Sequence, residues 1–395
     1  MNVLFLMKTF GIGGQESVTK ELANAMGDRG HNVVIASFAI PQADVSQVIH
    51  SPRVKFITLN LPFRYNKRTA DIIRKIFISE SIEIVINQWG LPFVPAMIFH
   101  YATKGLNIKL ISVYHHDPQT NTRVKAVDLR LELCRNPILT FILKLKRFLY
   151  SFVTKRSMIY VYRHSDAYVL LSKSFISPFM KSIGAIDTTK IYAIPNPLTI
   201  NSNCYRYSVV TKESTLLYVG RLENTQKRVD RVIDVWSRIE SVFSNWNLQI
   251  VGDGPDRTYL QSISKGCNQI VFKGFANPID YYMTASILLL TSEYEGFGLV
   301  IIEAMRFGVV PVVYGSYSAV YDIIEDGVDG IIIPKTDEGF NSSVMAEKIM
   351  SLMNDSDKLN AMALAAIEKS KNYSIDIIYN QWMEVFQKIL KNGKN

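Results

Sequence analysis

Thirteen short apolar runs, most of them continuous, alternate with longer helical patterns along the whole chain. Continuous runs are typical of strands covered on both faces, as in parallel α/β sheets. The predicted strands are Val3–Met7, Val33–Ser37, Lys55–Leu59, Ile84–Asn87, Leu110–Tyr114, Ala167–Ser172, Ile191–Ile194, Thr215–Gly220, Leu248–Gly252, Ile270–Lys273, Ile287–Thr291, Val310–Tyr314 and Gly330–Ile333. Because strand, helix and strand repeat throughout, we expect doubly wound α/β layers with right-handed crossovers.

A change of composition marks the expected domain boundary. The 395 residues suffice for two or three domains. Polar residues follow Pro195-Asn196-Pro197 before the next predicted strand. We therefore predict two Rossmann-like domains, at residues 1–198 and 199–375. The amphipathic pattern around Trp382 predicts a last helix, at about 376–395, that packs back on the first domain.

The composition also limits the class of protein. The apolar N-terminal run has no basic region before it and no small-residue cleavage site after it, which favours a buried strand over a signal peptide. No stretch reaches the roughly 20 apolar residues that span a bilayer. Cys134, Cys204 and Cys267 show no metal-ligand spacing. These features indicate a cytoplasmic protein that is either free or peripheral on the inner face of the cell membrane.

A glycine-rich turn, Gly11-Ile-Gly13-Gly14-Gln15-Glu16, follows the first predicted strand. Glycines let the backbone approach a ligand closely, and the helix after them offers free N–H groups to a phosphate. We predict that Gly13, Gly14 and Gln15 bind substrate. A plain strand-to-helix turn is the alternative.

Two histidines and an aspartate, His115-His116-Asp117, end the fifth predicted strand. Ligands of doubly wound sheets bind beyond the carboxyl ends of the strands. Histidines there can transfer protons or orient a substrate, whereas a buried structural histidine is the alternative. We predict a catalytic role for His115 and substrate binding for His116. No third metal ligand stands at a recognisable spacing, so we expect no metal.

Two cations follow the first strand of the second predicted domain, in Gly220-Arg221-Leu222 and at Lys227. Paired cations at the inner edge of a sheet suit a diphosphate whose negative charge grows as it leaves. We predict that Arg221 and Lys227 are catalytic. Two solvated surface residues are the alternative.

The sequence EGFGLVIIEAM, from Glu295 to Met305, is the most specific motif. Gly296 and Gly298 suit a tight loop, and a helix from near Leu299 would direct its first N–H groups at phosphate oxygens. Glu295 then lies in the loop, where we predict a catalytic role for it, and Glu303 lies about one turn into the helix. One carboxylate can face a sugar while the other accepts hydrogen bonds from ribose, and the two cations offset their charge.

Three further residues complete the predicted site. Gly252 and Gly254 can form a turn that faces a nucleotide, and Phe275 can either cover a base or belong to the core. The residues predicted to bind substrate are Gly13, Gly14, Gln15, His116, Gly252, Gly254, Phe275, Gly296, Phe297, Gly298, Leu299, Val300 and Glu303.

Through these motifs the chain resembles the retaining glycosyltransferases of family 4, which have the GT-B fold of two Rossmann-like domains facing across a cleft. The resemblance runs from Gly13-Gly14 to the last helix and includes Ile194-Pro-Asn196-Pro197. The Gln15 position departs from it, because many relatives have a small or aliphatic residue before Glu16.

The resemblance implies roles for single residues. Glu295 would contact the donor sugar, Glu303 the ribose, and Arg221 and Lys227 the leaving diphosphate. His115 would lie beside the reacting sugar, although the neighbouring His116 leaves that assignment open. The family also implies retention of the anomeric configuration, with a nucleotide sugar as co-substrate and no cofactor or metal.

The resemblance further implies a glycan acceptor, which we expect to be lipid-linked and to belong to bacterial capsule, O-antigen or lipopolysaccharide synthesis. We expect a UDP-hexose or UDP-N-acetylhexosamine as donor, with a GDP-sugar as the lesser alternative. Two other functions stay open. One is a GT-B nucleotide-sugar epimerase or hydrolase, and the other is a catalytically silent membrane-bound partner subunit.

Segment 123–163 carries ten basic and two acidic residues, a net charge of +8. Along residues 137–156, polar residues recur every three or four positions, which predicts a basic amphipathic helix. Its apolar side consists of Ile138, Phe141, Ile142, Leu145, Leu149 and Phe152. The helix either packs on the first domain with its basic face in water or docks on an anionic membrane surface. No recognised module suggests nucleic acid as a partner.

Overall fold

The computed structural model describes residues 1–11, 13–41, 49–184, 187–200, 207–208 and 212–391. The chain forms two compact units. Unit 1 consists of Met1–Pro197 with Ile375–Asn395, and unit 2 consists of Leu198–Ser374. Cys204, one of the three cysteines that show no metal-ligand spacing, lies outside the described residues.

Unit 1 is built on a parallel sheet of seven strands. The strands are β1 (Asn2–Met7), β2 (Asn32–Ser37), β3 (Val54–Thr58), β4 (Ile84–Asn87), β5 (Lys109–Tyr114), β6 (Ala167–Leu170) and β7 (Ile191–Ala193). Their order across the sheet is β3-β2-β1-β4-β5-β6-β7. Strand β1 lies in the middle and is buried from Val3 to Met7, as its continuous apolar run requires.

The helices of unit 1 before residue 198 include three with an asparagine side chain at the N-terminal cap. The helices in this part of the chain are α1 (Gly14–Asp28), α2 (Lys67–Ser79), α3 (Phe93–Ala102), α4 (Thr122–Leu133), α5 (Pro137–Arg163) and α6 (Ile176–Ile183). The side chains of Asn66, Asn121 and Asn136 accept hydrogen bonds from the first N–H groups of α2, α4 and α5. Pro137 is the first residue of α5, where its missing N–H costs nothing.

Unit 2 repeats this architecture with a parallel sheet of six strands. The strands are β8 (Thr215–Val219), β9 (Asn247–Val251), β10 (Ile270–Gly274), β11 (Ile287–Leu290), β12 (Val310–Gly315) and β13 (Ile331–Pro334). The helices are α7 (Val229–Ser237), α8 (Arg257–Ile263), α9 (Pro278–Thr284), α10 (Leu299–Arg306), α11 (Val320–Ile323), α12 (Ser342–Met353) and α13 (Ser356–Ser370). The strand order is β10-β9-β8-β11-β12-β13.

The last helix, α14 (Ile375–Lys391), belongs to unit 1. It buries Trp382 and Phe386. Asp376 pairs with Arg29, and the Tyr379 hydroxyl lies 2.8 Å from Nε2 of His31. Unit 1 is therefore built from two stretches of the chain, one before unit 2 and one after it.

All thirteen predicted strands are present, with ends that differ by at most two residues. The two sheets share the doubly wound order expected from the alternation of strands and helices. The order reverses between β1 and β4 in unit 1 and between β8 and β11 in unit 2. Loops diverge at such a switch point, so the crevice beyond the carboxyl ends of these strands is where ligands bind.

Two loops of unit 2 touch through their backbones beside its switch point. Gly252 has φ of +139°, and a Cβ there would lie 1.9 Å from the carbonyl oxygen of Gly220. A Cβ on Gly254 would lie 2.3 Å from the carbonyl oxygen of Leu222. The loops after β8 and β9 can approach this closely only because both residues are glycine.

Gly252→Ala should therefore lower the free energy of unfolding of unit 2 by about 2–4 kcal/mol, because the new Cβ separates the loops and φ is unfavourable. Urea unfolding measures the change. Gly266→Ala is the matched control, since a Cβ at position 266 meets nothing within 4 Å. Equal stability of the two variants would contradict the close approach.

Candidate functional site

An ion pair joins two loops at the switch point of unit 2. Lys227, in the segment between β8 and α7, places Nζ 2.5 Å from Oε1 of Glu295, in the loop after β11. The Ser292 hydroxyl donates to the same carboxylate oxygen at 2.7 Å. The Glu295 side chain is only 9% exposed, so the cation and the hydroxyl together compensate a largely buried charge.

Further hydrogen bonds hold the same two loops in register. The backbone N–H of Glu293 donates to the carbonyl of Gln226 at 2.7 Å, and the Gln226 amide donates to the carbonyl of Tyr294 at 3.2 Å. The Thr291 hydroxyl donates to the carbonyl of Arg228 at 2.8 Å. The position of Lys227 opposite Glu295 is therefore set by backbone as well as by charge.

Helix α10 begins at Leu299, as predicted, directly after this loop. Gly298 caps it with φ of +95°, a conformation that glycine adopts without strain. The first N–H groups of an α-helix have no partner within the helix. The N–H groups of Leu299 and Val300 are thus suited to bind anionic oxygens next to Lys227.

Glu303, in α10, is buried and bound by two hydroxyl groups. The Thr199 hydroxyl donates to Oε1 at 2.6 Å, and the Tyr282 hydroxyl donates to Oε2 at 3.3 Å. Burial raises the pKa of this carboxyl group, and the two hydrogen bonds act against the shift. The carboxylate accepts bonds from hydroxyl groups, which is the chemistry a ribose also offers.

The other predicted residues of unit 2 differ in exposure. Arg221 is exposed beyond β8, and Phe275 is 72% exposed after β10. Phe297 is buried and its ring lies 5.8 Å from that of Tyr373, edge to face. Packing between loops accounts for Gly252 and Gly254, and a role for them in binding a nucleotide stays a prediction.

A hydrogen-bond chain lies at the switch point of unit 1. His115 follows β5, and its Nε2 is 2.6 Å from Oε1 of Gln88, which follows β4. The side-chain amide of Gln15, in the first turn of α1, donates to the carbonyl of Gln88 at 2.9 Å. Gln15, which departs from the family pattern, therefore joins the glycine-rich turn to His115 through Gln88.

The neutral form of His115 is favoured. Burial, and to a smaller degree the neighbouring His116, lowers the pKa of His115 to about 3. A neutral imidazole whose Nε2–H donates to Gln88 keeps Nδ1 as an acceptor. Of the two predicted roles, this favours orienting a substrate over proton transfer near neutral pH. His116 is exposed, and its ring lies 6.0 Å from that of Tyr114.

A cavity of about 370 Å³ adjoins His115 within unit 1. Trp89, Pro92 and Phe93 supply apolar surface, and Val153 and Ser157 bring α5 into its wall. The Ser157 hydroxyl donates to the carbonyl of Leu91 at 2.6 Å, which fastens α5 to the loop after β4. Such a cavity is large enough for one or two sugar rings and offers apolar surface to stack on them.

Sequence reasoning missed Gln88. This residue is 2% exposed and is the contact between the glycine-rich turn and His115. The signal that selected His115, a polar residue at the carboxyl end of a central strand, applies equally to Gln88. Thr199 was also missed, because its partner Glu303 is distant in sequence. Ser292 was missed because its contact with Glu295 depends on the folded conformation of the loop that holds both.

No group of three His, Cys, Asp or Glu residues that could hold a metal ion occurs in the described ranges. Within the same ranges, none of the helices is both long and apolar enough to cross a bilayer.

Two Rossmann-like units in one chain, each with polar side chains at its switch point, are features of the GT-B class of protein. Two family models match the chain. Glycosyltransferase Family 4 matches residues 12–201, and Glycosyl transferases group 1 matches residues 206–369. The chain therefore carries a glycosyltransferase family 4 domain followed by a glycosyl transferases group 1 domain.

Individual relatives fit this assignment. The amylovoran biosynthesis glycosyltransferase AmsD of Erwinia amylovora is 25% identical over 60% of this chain and 66% of its own length. An α-1,4-N-acetyl-D-galactosaminyltransferase of Campylobacter jejuni, named for a glycan on PP-undecaprenol, is 24% identical over 51% of this chain and 55% of its own. Matches to the first curated relatives span only 24% to 66% of those proteins.

The fold is shared over the full chain with a solved structure. HepE of Anabaena, in complex with UDP, has a TM-score of 0.75 at 18% identity, covering 98% of this chain and 100% of that one.

The lowered pKa of His115 predicts a pH effect on stability. Between about pH 3 and pH 6.5 the unfolded chain binds a proton at His115 that the folded chain does not, so stability falls as the pH falls. The slope is at most about 1.4 kcal/mol per pH unit, and partial exposure of the ring narrows the pH range over which it applies. His115→Gln should flatten the pH profile of the unfolding free energy in this range.

His164→Gln is the matched control, because His164 is exposed and lies elsewhere in unit 1. Denaturant unfolding from pH 4 to pH 7 would compare the three proteins. The lowered pKa of His115 is wrong if the unfolding free energy of His115→Gln depends on pH as steeply as that of the wild type.

Proposed function

We propose that this chain transfers a hexose or N-acetylhexosamine from a nucleotide sugar to a hydroxyl group of a glycan acceptor, with retention of the anomeric configuration. One observation carries the proposal. Lys227, Glu295 and the start of α10 lie together at the switch point of unit 2. Cation, carboxylate and free N–H groups are the partners that a sugar diphosphate needs.

The donor side uses these groups in complementary ways. Arg221, Lys227 and the N–H groups of Leu299 and Val300 bind the diphosphate, while Glu303 accepts bonds from the ribose. Lys227 already neutralises Glu295, so it can shift towards a diphosphate only if sugar hydroxyls take its place on the carboxylate. The neighbour HepE was solved with UDP, which supports a UDP-linked donor.

The reaction breaks the bond between the anomeric carbon and the diphosphate oxygen and forms a bond to the acceptor hydroxyl oxygen. The proton of that hydroxyl passes to the departing diphosphate on the same face of the sugar. Charge on the diphosphate grows in the transition state, and Arg221, Lys227 and the helix dipole of α10 stabilise it. The neutral His115 orients the substrate through Nδ1. We propose no metal or cofactor for this chemistry.

The acceptor side lies in unit 1. We assign the cavity beside His115 to the terminal sugars of the acceptor, because its aromatic walls suit sugar rings and its polar floor suits hydroxyl groups. AmsD belongs to amylovoran biosynthesis, and the Campylobacter relative acts on a glycan carried by PP-undecaprenol. The Campylobacter relative supports a lipid-linked acceptor, and AmsD supports a role in the biosynthesis of a bacterial polysaccharide.

We further propose that helix α5 docks on an anionic membrane. Nine of the 24 exposed large apolar residues in the described ranges lie between positions 138 and 153. At 3.6 residues per turn, all but Leu139 fall within an arc of about 140°. Ile138, Phe141 and Phe148 are 72%, 69% and 63% exposed. An apolar stripe of this size in water is unfavourable unless something covers it.

The charges around the stripe identify the partner. Lys144 and Lys155 flank one side of it and Lys146 flanks the other, within the segment of net charge +8. Apolar residues that enter the acyl chains, with lysines reaching phosphate head groups, are typical of helices that lie in a membrane interface. Of the two interpretations left open by the sequence, we therefore favour the membrane surface.

Nucleotide release from a panel of UDP- and GDP-sugars, with and without acceptor glycan, tests the reaction. We expect release from one donor to depend on acceptor. Release that never depends on acceptor would indicate an epimerase or hydrolase, and calorimetry that finds no binding of any donor would indicate a silent partner subunit.

Lys227→Ala should lower the transfer rate by about 2–4 kcal/mol of transition-state stabilisation, because a charge-stabilising donor is lost. The rate is measured with the donor found in the screen. Lys265→Ala, an exposed lysine elsewhere in unit 2, is the control. Since Glu295 loses its cation in Lys227→Ala, melting temperatures must show that the variant is folded. Near-normal turnover in a folded variant would refute the role of Lys227.

Replacement of Phe141 and Phe148 by Ser should weaken membrane binding at least tenfold, roughly the effect of withholding two phenyl groups from the interface. Co-sedimentation measures it, with vesicles of phosphatidylcholine alone or with about 30% phosphatidylglycerol. Val242→Ser, at a similarly exposed apolar residue, should bind like the wild type. Equal binding to both vesicle types, or a dimer that the double substitution abolishes, would contradict docking on an anionic membrane.

A further inference from the structure

Tyr317 has a buried hydroxyl group beside the candidate donor site. The residue follows β12 and is 3% exposed. Its side-chain oxygen is inaccessible to solvent and has no hydrogen-bond partner among the described residues. Burying a hydroxyl group without a partner destabilises the folded chain. A group of this kind in a native structure calls for a partner that the folded chain does not itself supply.

The hydroxyl group lies against the start of α10. A Cβ on Gly298, the residue that caps α10, would lie 2.7 Å from the Tyr317 oxygen. Any side chain at position 298 would therefore occupy the space between this hydroxyl and the first turn of the helix. Glycine leaves that space open, so a small shift of the loop can bring a ligand oxygen within reach of the hydroxyl.

The segment that carries Tyr317 is fastened to the candidate site. The neighbouring Ser316 hydroxyl donates to the carbonyl of Ser292 at 2.6 Å, and Ser292 in turn binds Glu295. Oε1 of Glu295 already accepts from both Lys227 and Ser292. Burial and the charge of Glu295 raise the pKa of Tyr317 well above its usual value, so the phenol stays protonated. It is a donor, held close to groups that suit an anion.

We propose that the Tyr317 hydroxyl donates a hydrogen bond to an anionic oxygen of the diphosphate bound at the start of α10, as a further substrate-positioning residue. The proposal rests on the proposed function, because it takes its ligand from it. It explains why a buried hydroxyl is kept without a partner and why position 298 carries no side chain. The folded chain bears a cost at Tyr317 that the diphosphate removes on binding.

Tyr317→Phe tests the proposal, because it removes only the oxygen. Without nucleotide, the variant should melt at the same temperature as the wild type or higher, since a buried unpaired hydroxyl is gone. Calorimetry should show the Kd for UDP raised about tenfold, the effect of one bond to a charged group, and the Kd for uridine within about twofold of the wild type.

Tyr168→Phe is the matched control. Tyr168 is fully buried in unit 1, and its hydroxyl donates to the carbonyl of Gly90 at 2.7 Å. This variant should melt below the wild type, because the carbonyl loses its donor, and should bind UDP normally.

The following results would contradict a contact between the Tyr317 hydroxyl and the diphosphate. An unchanged Kd for UDP, or an equal loss for UDP and uridine, would show that the hydroxyl does not contact the diphosphate. A melting temperature as low as that of Tyr168→Phe would show that it already has a partner in the folded chain. If the wild type binds neither UDP nor GDP, the proposed function itself fails and this proposal falls with it.

Discussion

The ion pair between Lys227 and Glu295 is the interaction on which the candidate donor site depends. It crosses the switch point of unit 2 and joins the segment after β8 to the loop before α10. The Glu295 side chain is largely buried, and Lys227 lies against it as a charged partner. In the proposed function, the pair supplies a cation for the diphosphate and a carboxylate for sugar hydroxyls.

Hydroxyl groups recur around the buried acids of this site. Ser292 binds Glu295, while Thr199 and Tyr282 bind Glu303. Each is a neutral donor to a carboxylate, and each could give way to a hydroxyl group of a nucleotide sugar. Tyr317 completes the set as the donor whose partner the described chain does not provide. A site built in this way is stable when folded alone and still offers interactions that a ligand can replace or complete.

The two halves of helix α5 have different surroundings. Its later residues, such as Ser157, Met158 and Val161, are buried in unit 1, and Val153 and Ser157 line the cavity beside His115. Its earlier residues expose apolar side chains between lysines. One rigid helix thus connects a surface suited to lipid with a cavity suited to a glycan. This arrangement fits the proposed function, in which the acceptor is carried on a membrane.

The sequence alone determined the strands, their parallel doubly wound class and the motif from Glu295 to Glu303. These depend on local hydrophobic patterns and glycine positions, which a linear pattern records directly. It also indicated which residues would be found at strand ends, and so selected His115, Lys227 and Glu295.

Only the tertiary structure decided which of these residues touch. It paired Lys227 with Glu295, placed Gln88 between Gln15 and His115, exposed the apolar stripe of α5 and left the Tyr317 hydroxyl without a partner. Each of these facts depends on residues far apart in the chain that are brought together by sheet order and loop packing. A single sequence does not show which distant residues become neighbours, because two side chains interact only after the folded backbone has brought them together.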